Sequence, residues 1–244
     1  MNTSPPISVL TTVYNNAGYV EASVRSILGQ TFKDFEYVIV DDGSTDGSVE
    51  ILKRLAEEDD RIRLQCHDHL GISKAANHGL AACRGKWVAR LDGDDLAWPD
   101  RLEKQLAFVE ANDLVCASGQ VDFIDQKDRF LITIPSPCDH EGIEEKMLRG
   151  HNTIWHSGCM FRRNAAEQIG GYSEDFDAAI DLDLCLRLGE IGRLGNSMDR
   201  VIQYRLHRKS VSAKRRQYQR DMARVACDRA AQRRGIEPCF DAEE

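Results

Sequence analysis

The chain has 244 residues, 32 Lys and Arg against 40 Asp and Glu, a formal charge of −8, and 42% hydrophobic residues. That is enough apolar material to close a core in one large domain or two small ones, which excludes disorder as the overall state. No apolar run approaches the roughly 20 residues of a bilayer crossing.

Met1-Asn2-Thr3-Ser4-Pro5-Pro6 has neither the basic head nor the apolar stretch of a secretory leader. The eight cysteines contain no C-x-x-C pair and read as reduced thiols, so a cytoplasmic protein is expected. Residues 205–234 hold eleven Lys and Arg against Asp221 and Asp228, whereas residues 1–204 carry 21 basic and 34 acidic side chains. An acidic body argues against a nucleic-acid groove.

In chain order, Ile7–Val13 reads as a short, buried, β-branched strand. Asn15-Asn16 close it and can cap a helix that starts near Ala17 and carries Val20, Val24, Ile27 and Leu28. Phe35–Val40 is a second strand, stopped by Asp41-Asp42-Gly43-Ser44, and Asp46 is the expected cap of a helix with Val49, Ile51, Leu52 and Leu55. A third strand over 62–65 leads to a helix through Ala75, Ala76, Leu80 and Ala81. A fourth over 86–91 ends at Asp92-Gly93-Asp94-Asp95. Strand and helix alternate four times with short links, which predicts a mostly parallel sheet flanked by helices. Such sheets bind ligands beyond the carboxyl ends of their strands. Tyr14-Asn15, Asp41-Asp42 and 92–95 all follow strands directly, so they are expected to converge on one crevice.

After Pro99 a helix carries Leu102, Leu106, Phe108 and Val109, and the alternation then breaks. Shorter strands are expected over 114–134, with a hairpin through 125–128. A loop at 135–137, a helix over 140–149, a strand over 157–161, a helix over 181–190, a strand over 199–205 and a basic helix over 213–234 follow. No linker separates this α+β material from the first sheet.

Asp92, Asp94 and Asp95 crowd three carboxylates onto one strand end, where they repel unless a cation or hydrogen bonds relieve them. Mg²⁺ or Mn²⁺ suits such oxygen donors; a solvated Asp-Gly turn is the plainer reading. A calcium loop beginning at Asp42 fails, because Lys53 stands where a bidentate glutamate is needed. Cys66-His67-Asp68-His69 has no second cluster at zinc spacing. No GxSxG, GxGxxG or GxxxxGK[ST] occurs. Asp181 and Asp183 lie about 200° apart around a helix, so they cannot act as a dyad.

Together the segments 7–15, 26–32, 38–46, 71–80, 90–95 with 99–102, 156–163, 181–188 and 204–212 resemble the family 2 glycosyltransferases of the GT-A fold. The resemblance implies a catalytic domain over 1–212, with a nucleotide-binding half over about 1–112 and an acceptor half over about 113–212, followed by a basic helix and tail over 213–244. It implies an inverting transfer of a sugar from a nucleotide-diphosphate donor, UDP-linked by preference, to a hydroxyl of a cell-surface glycan or lipid-linked saccharide. Thr12, Tyr14, Asp41 and Asp42 would hold the nucleoside. Asp92 and Asp95 would meet the ribose or sugar, Asp94 a divalent cation (Mn²⁺ or Mg²⁺), and Asp181 would be the catalytic base. Asn77 joins the donor contacts. Ala76 stands near a position where relatives carry arginine, which leaves phosphate contact to Lys74, or to His207 and Arg205. Ile180 replaces the glutamate usual before the base. Two other readings stay open: a catalytically silent nucleotide-binding protein of this fold, and a sugar nucleotidyltransferase, for which a glycine-rich basic loop after the first strand is missing. The basic helix is either paired against the acidic body or in contact with anionic lipid on the inner face of the membrane.

Overall fold

The central strands are apolar on both faces, and this sets the architecture. The computed structural model describes residues 4–207 and 215–241. In it β1 (Ile7–Val13), β2 (Phe35–Asp42), β3 (Ile62–His67) and β4 (Trp87–Arg90) lie parallel in the order β3-β2-β1-β4. Leu10, Val38 and Val40 face one hydrophobic cluster and Val9, Tyr37 and Ile39 the other, the alternation that a pleated strand imposes. Helices α1 (Val20–Leu28) and α2 (Ser48–Glu58) cover one face, while α3 (Ile72–Ala82) covers the opposite one.

The sheet continues past β4 without a break. β5 (Leu96–Ala97) and α4 (Arg101–Ala111) come first in the chain; then β6 (Leu114–Ile124) hairpins onto β7 (Phe130–Ile134). After α5 (His140–Leu148) and a 3-10 turn at His156–Gly158, β8 (Met160–Arg162) inserts antiparallel between β4 and β6. Helices α6 (Arg163–Gln168) and α7 (Ile180–Gly189) lead to β9 (Arg193–Arg205), which runs parallel to β6 and closes on β5. The two halves of the chain therefore share one sheet.

The expected strand–helix alternation of the first half is present, and the departures lie in the second. In place of several short strands over 114–134 stand one strand of 11 residues, β6, buried along nearly all its length between β8, β9 and β7, and the short β7, joined through the expected turn at 125–128. The expected strand over 157–161 is the 3-10 turn followed by β8. The strand expected from 199 begins at Arg193, because Leu194–Ser197 are buried against β6.

Helix α8 (Arg216–Arg234) packs Ala226, Cys227 and Ala230 into the core beside α7 and α5. Its cations meet acids of the body: Arg215, just ahead of it, with Asp177 (3.0 Å), Arg229 with Asp175 (2.9 Å), Arg233 with Glu190 (2.9 Å), and Arg234 with Glu144 (2.9 Å) and Glu190 (2.6 Å). Lys214 and the 208–212 part of the resemblance lie outside the described residues. All eight cysteines are free thiols. Among the described residues no helix is long and apolar enough to cross a membrane.

Candidate active site

β1, β2 and β4 end at the same edge of the sheet, and hydrogen bonds join the loops that leave them. Asn15 takes a left-handed backbone (φ 55°), donates its amide to Ser44 Oγ (2.9 Å) and accepts from the Thr45 amide at Oδ1 (2.8 Å). Asp46 receives the Ser48 amide (3.1 Å) and the Ala17 amide (3.0 Å), but it stands one residue ahead of the helix cap, which is Gly47 rather than the expected Asp46. The loop after β4 leans on the first: a Cβ at Gly93 would stand 3.0 Å from Asn16 Nδ2. The three polar tips therefore converge.

Asp41 and Asp42 differ in what they hold. Asp41 Oδ1 accepts from the amides of Gly43 and Ser44, and its buried Oδ2 has no partner. Both oxygens of Asp42 are engaged, Oδ1 by the Leu70 amide (2.7 Å) and Oδ2 by the Gly71 amide (3.1 Å) and His69 Nδ1 (2.9 Å). Asp42, expected to accept from base or ribose, thus anchors the loop that starts α3, and the vacant acceptor is on Asp41. Gly43 lets the loop approach this closely: its φ is +80° and a Cβ would fall 2.7 Å from the His69 amide. Held there, His69 stacks on Tyr14, with ring centroids 4.3 Å apart and planes at 24°. Tyr14 stays 47% exposed.

Beneath these loops Arg90 is buried, at 1% exposure. Its Nη2 donates to Thr12 Oγ1 (3.2 Å) and to Asp92 Oδ1 (3.1 Å), while Nε and Nη1 lack partners. His156 Nδ1 lies 3.7 Å from Asp92 Oδ1, and its Nε2 is 2.9 Å from the Tyr172 hydroxyl. Burial alone would raise the Asp92 pKa; the His156 and Arg90 charges outweigh it and hold the carboxyl well below the usual range. The main chain of Asp92 is pinned as well, its amide to Ser157 Oγ and its carbonyl to Ser23 Oγ (both 3.0 Å).

Asp94 and His207 meet at 2.8 Å, Oδ2 to Nε2, and His207 Nδ1 is buried without a partner. Asp95 Oδ1 accepts the Arg205 amide (2.8 Å), and its buried Oδ2 is unpartnered. Burial, then the charges of Asp94 and Asp92, push the Asp95 carboxyl well above its ordinary pKa. Arg205 donates to the Asp94 carbonyl (2.7 Å), pairs with Asp128 and lies over the Tyr19 ring at 4.8 Å. Its guanidinium, expected as an alternative phosphate contact, is thus buried and engaged within the protein. Lys74 is exposed on α3 and makes no such contact.

Asn77, expected on the donor, instead clamps the Gly171-Tyr172 turn. Its Nδ2 donates to the Tyr172 carbonyl (2.8 Å) and its Oδ1 accepts the Tyr172 amide (2.8 Å). Gly171 has φ +71°, and a Cβ there would come within 2.6 Å of Asn77 Oδ1. One turn earlier on α3, Ser73 Oγ donates to the Phe176 carbonyl (2.5 Å).

Asp181 lies in the first turn of α7, behind Ala179 in a left-handed conformation (φ 54°). It accepts from Asn152 Nδ2. Asp183 is buried and paired with Arg187, so the two carboxylates have separate partners, as their angular spacing requires. Asn152 and His156 belong to one five-residue segment, which therefore touches Asp181 at one end and Asp92 at the other. Asn152 is absent from the sequence expectations, and Arg90, His69 and His156 carry no site role there, although His69 is weighed in a metal cluster and the other two lie in the segments of the resemblance. Arg90 alone leaves a signal there, a cation inside an apolar strand. Among the described residues no three His, Cys, Asp or Glu side chains form a ready cation cage.

The chain resembles known proteins in sequence and in fold. The family model described as glycosyl transferase family 2 matches residues 8–170. The putative glycosyltransferase EpsE of Bacillus subtilis is 34% identical over 227 residues, covering 89% of this chain and 78% of its own length. The O-antigen biosynthesis glycosyltransferase WbnJ of Escherichia coli is 33% identical over 208 residues, covering 84% and 81%. Among solved structures, S. aureus TarS 1-349 in complex with UDP-GlcNAc superposes with a TM-score of 0.71 at 16% identity over 90% of this chain and 66% of that one. The mannosyltransferase PcManGT from Pyrobaculum calidifontis, in complex with GDP-Man and Mn²⁺, gives 0.69 at 20% identity over 99% and 66%. The chain spans 39% of another TarS crystal chain. At these identities the structural likeness carries the GT-A fold alone.

Proposed function

Because the chain belongs to glycosyl transferase family 2, we propose that it moves a sugar from a nucleotide diphosphate, UDP by preference, to a hydroxyl of a cell-surface glycan or lipid-linked saccharide, with inversion. The observation that carries this is the contact of Asp181 and Asp92 with one short segment, Asp92 being tied through Arg90 to Thr12 near the end of β1.

Tyr14 offers an exposed ring for the base, braced from behind by His69, and Asp41 Oδ2 offers a vacant acceptor close to it. Thr12 and Asp92, tied through Arg90, would line the ribose and sugar. Lys74, exposed on α3, would supply a cation for a phosphate. Asp94 and His207, an oxygen and a nitrogen donor already in contact, fit Mn²⁺ or Mg²⁺, which commonly takes one or two carboxylates and completes its shell with phosphate oxygens. Bound there, the cation would neutralise charge on the departing diphosphate. Asp95 supports the loop from below through Arg205.

Asp181, oriented by Asn152, takes the acceptor hydroxyl proton as that oxygen attacks C1 and the C1–O bond to the diphosphate breaks. In α8, Arg216 and Arg220 have no acidic partner among the described residues, and peripheral contact with anionic lipid at the inner membrane face would rest on them. Calorimetry tests the donor site. UDP should bind with Mn²⁺ and lose most of that affinity with EDTA or in Asp94→Asn; affinity indifferent to both removes the cation assignment. Metal-dependent UDP binding without release of UDP from any UDP-sugar would favour the silent alternative.

A further inference from the structure

A cavity of ≈ 250 Å³ opens between the end of β7, α5 and the 151–155 segment. We propose that it is the acceptor subsite and that it selects a saccharide bearing one acidic group, carboxylate or phosphate; this rests on the transferase reading with Asp181 as base. Three observations carry it.

First, Asn152 lines the cavity and donates to Asp181, so the cavity wall carries the residue that orients the proposed base. Second, one wall is built for a sugar ring. Trp155 is fixed edge-on against Phe123 (5.4 Å, 80°) and beside Tyr204 (5.7 Å), and its Nε1 donates to Ser136 Oγ (3.3 Å). Pro135 and Pro137 continue the apolar surface. A fixed indole and two prolines suit the C–H face of a pyranose and cost little side-chain entropy on binding. The volume, below the ~300–1,000 Å³ of drug-sized sites, is on the scale of a single ring.

Third, the charge is of one sign. The lining holds no Asp or Glu, but it holds Lys146 and His151, within a body whose first 204 residues carry 21 basic and 34 acidic side chains. Lys146 is exposed and has no carboxylate partner among the described residues, while His151 Nε2 is 3.5 Å from Asp241. Lys146 in an acidic body, joined by His151 when that ring is protonated, favours an anionic ligand.

The test titrates the full chain, with UDP and Mn²⁺ present, against three probes by ligand-observed NMR: methyl β-glucoside, methyl β-glucuronide and glucose 6-phosphate. The acidic probes should bind about tenfold more tightly than the neutral one, a step of ~1.4 kcal/mol. Lys146→Gln, at an exposed position, should bring the ratio within about twofold, an acid preference of under ~0.4 kcal/mol, with UDP affinity unchanged; Trp155→Ala should weaken all three probes. Glucuronide above phosphate identifies a uronate acceptor, and the reverse order a phosphorylated one. Equal affinities, no binding of any probe, or a preference that survives Lys146→Gln overturns the proposal. Loss of UDP binding in the unaltered protein is read separately and counts against the transferase reading instead.

Discussion

Replacing Arg90 by methionine separates stability from function in a way the burial of this side chain makes calculable. The substitution keeps the apolar stem and removes the guanidinium. Two hydrogen bonds are lost, one to the Asp92 carboxylate and one to the Thr12 hydroxyl, worth roughly 1.5–3 and 0.5–1.5 kcal/mol. Against this, two buried nitrogens without partners, Nε and Nη1, disappear, and each such group costs about 1–3 kcal/mol. The sums nearly cancel, so the net change should stay within about 2 kcal/mol of zero in either direction. For a chain of this size that is at most ~8 °C in Tm. Catalysis has no such compensation. Asp92 keeps its pinned main chain but loses the side-chain clamp that ties it to β1, and misplacement by about 1 Å costs on the order of 100-fold, or ~2.7 kcal/mol. Thermal unfolding and UDP release from a UDP-sugar read the two quantities on one preparation. The reasoning is refuted if Tm falls by much more than ~10 °C, a loss the cancellation does not allow, or if kcat/KM stays near that of the parent.

Three further outcomes are expected. Asp181→Asn should lower turnover by about 10²–10⁴ and leave calorimetric UDP affinity as it was; near-normal turnover would remove Asp181 as the base. Glu36, far from the site, accepts from Ser8 Oγ (2.6 Å), the Arg84 amide (2.6 Å), Arg84 Nε (2.7 Å) and Arg63 Nη1 (2.9 Å). Burial works to raise its pKa, but these donors outweigh it and hold the carboxyl below its ordinary value. Its stabilisation is therefore present above the unfolded pKa of about 4.3 and lost as pH falls through the folded one. Glu36→Gln should lower Tm at neutral pH and flatten the acid limb of the profile, and superimposable acid limbs would contradict the assignment. Arg234→Ala removes donors to Glu144, Glu190 and the Leu186 carbonyl; it should cost about 1–2 kcal/mol in denaturant titration with UDP affinity intact. No loss of stability would mean that α8 does not brace the body.

How much of this was legible beforehand depended on what kind of force fixes each part. β1, β2 and β4 are short apolar strands that end in polar clusters, and hydrophobic pattern alone places those clusters at one sheet edge. β9 shows where that signal stops. Its first half, Arg193-Leu194-Gly195-Asn196-Ser197, lacks a strand-like alternation, and Asn196 is buried by hydrogen bonds to the carbonyls of Pro137 and Thr153. Partner choice among polar side chains was the least legible feature. Asn77 meets Tyr172 and Arg205 meets Asp94 across about a hundred residues of chain, so nothing local distinguishes a clamp from a ligand contact. Asp41 and Asp42 are adjacent and chemically identical, yet only the approach of the 69–71 loop decides which keeps a vacant oxygen.

Ser73 and Asn77 grip the 172–176 stretch from one helix, while β8 and β9 complete a sheet begun by the opening strands. Engineering for new acceptors consequently has no natural seam at which later and earlier portions could be exchanged between relatives; a chimera cut there would sever both the clamp and the ladder. Altered preference is better sought by point changes on the wall formed by Lys146, His151 and Trp155, which leave that shared frame whole.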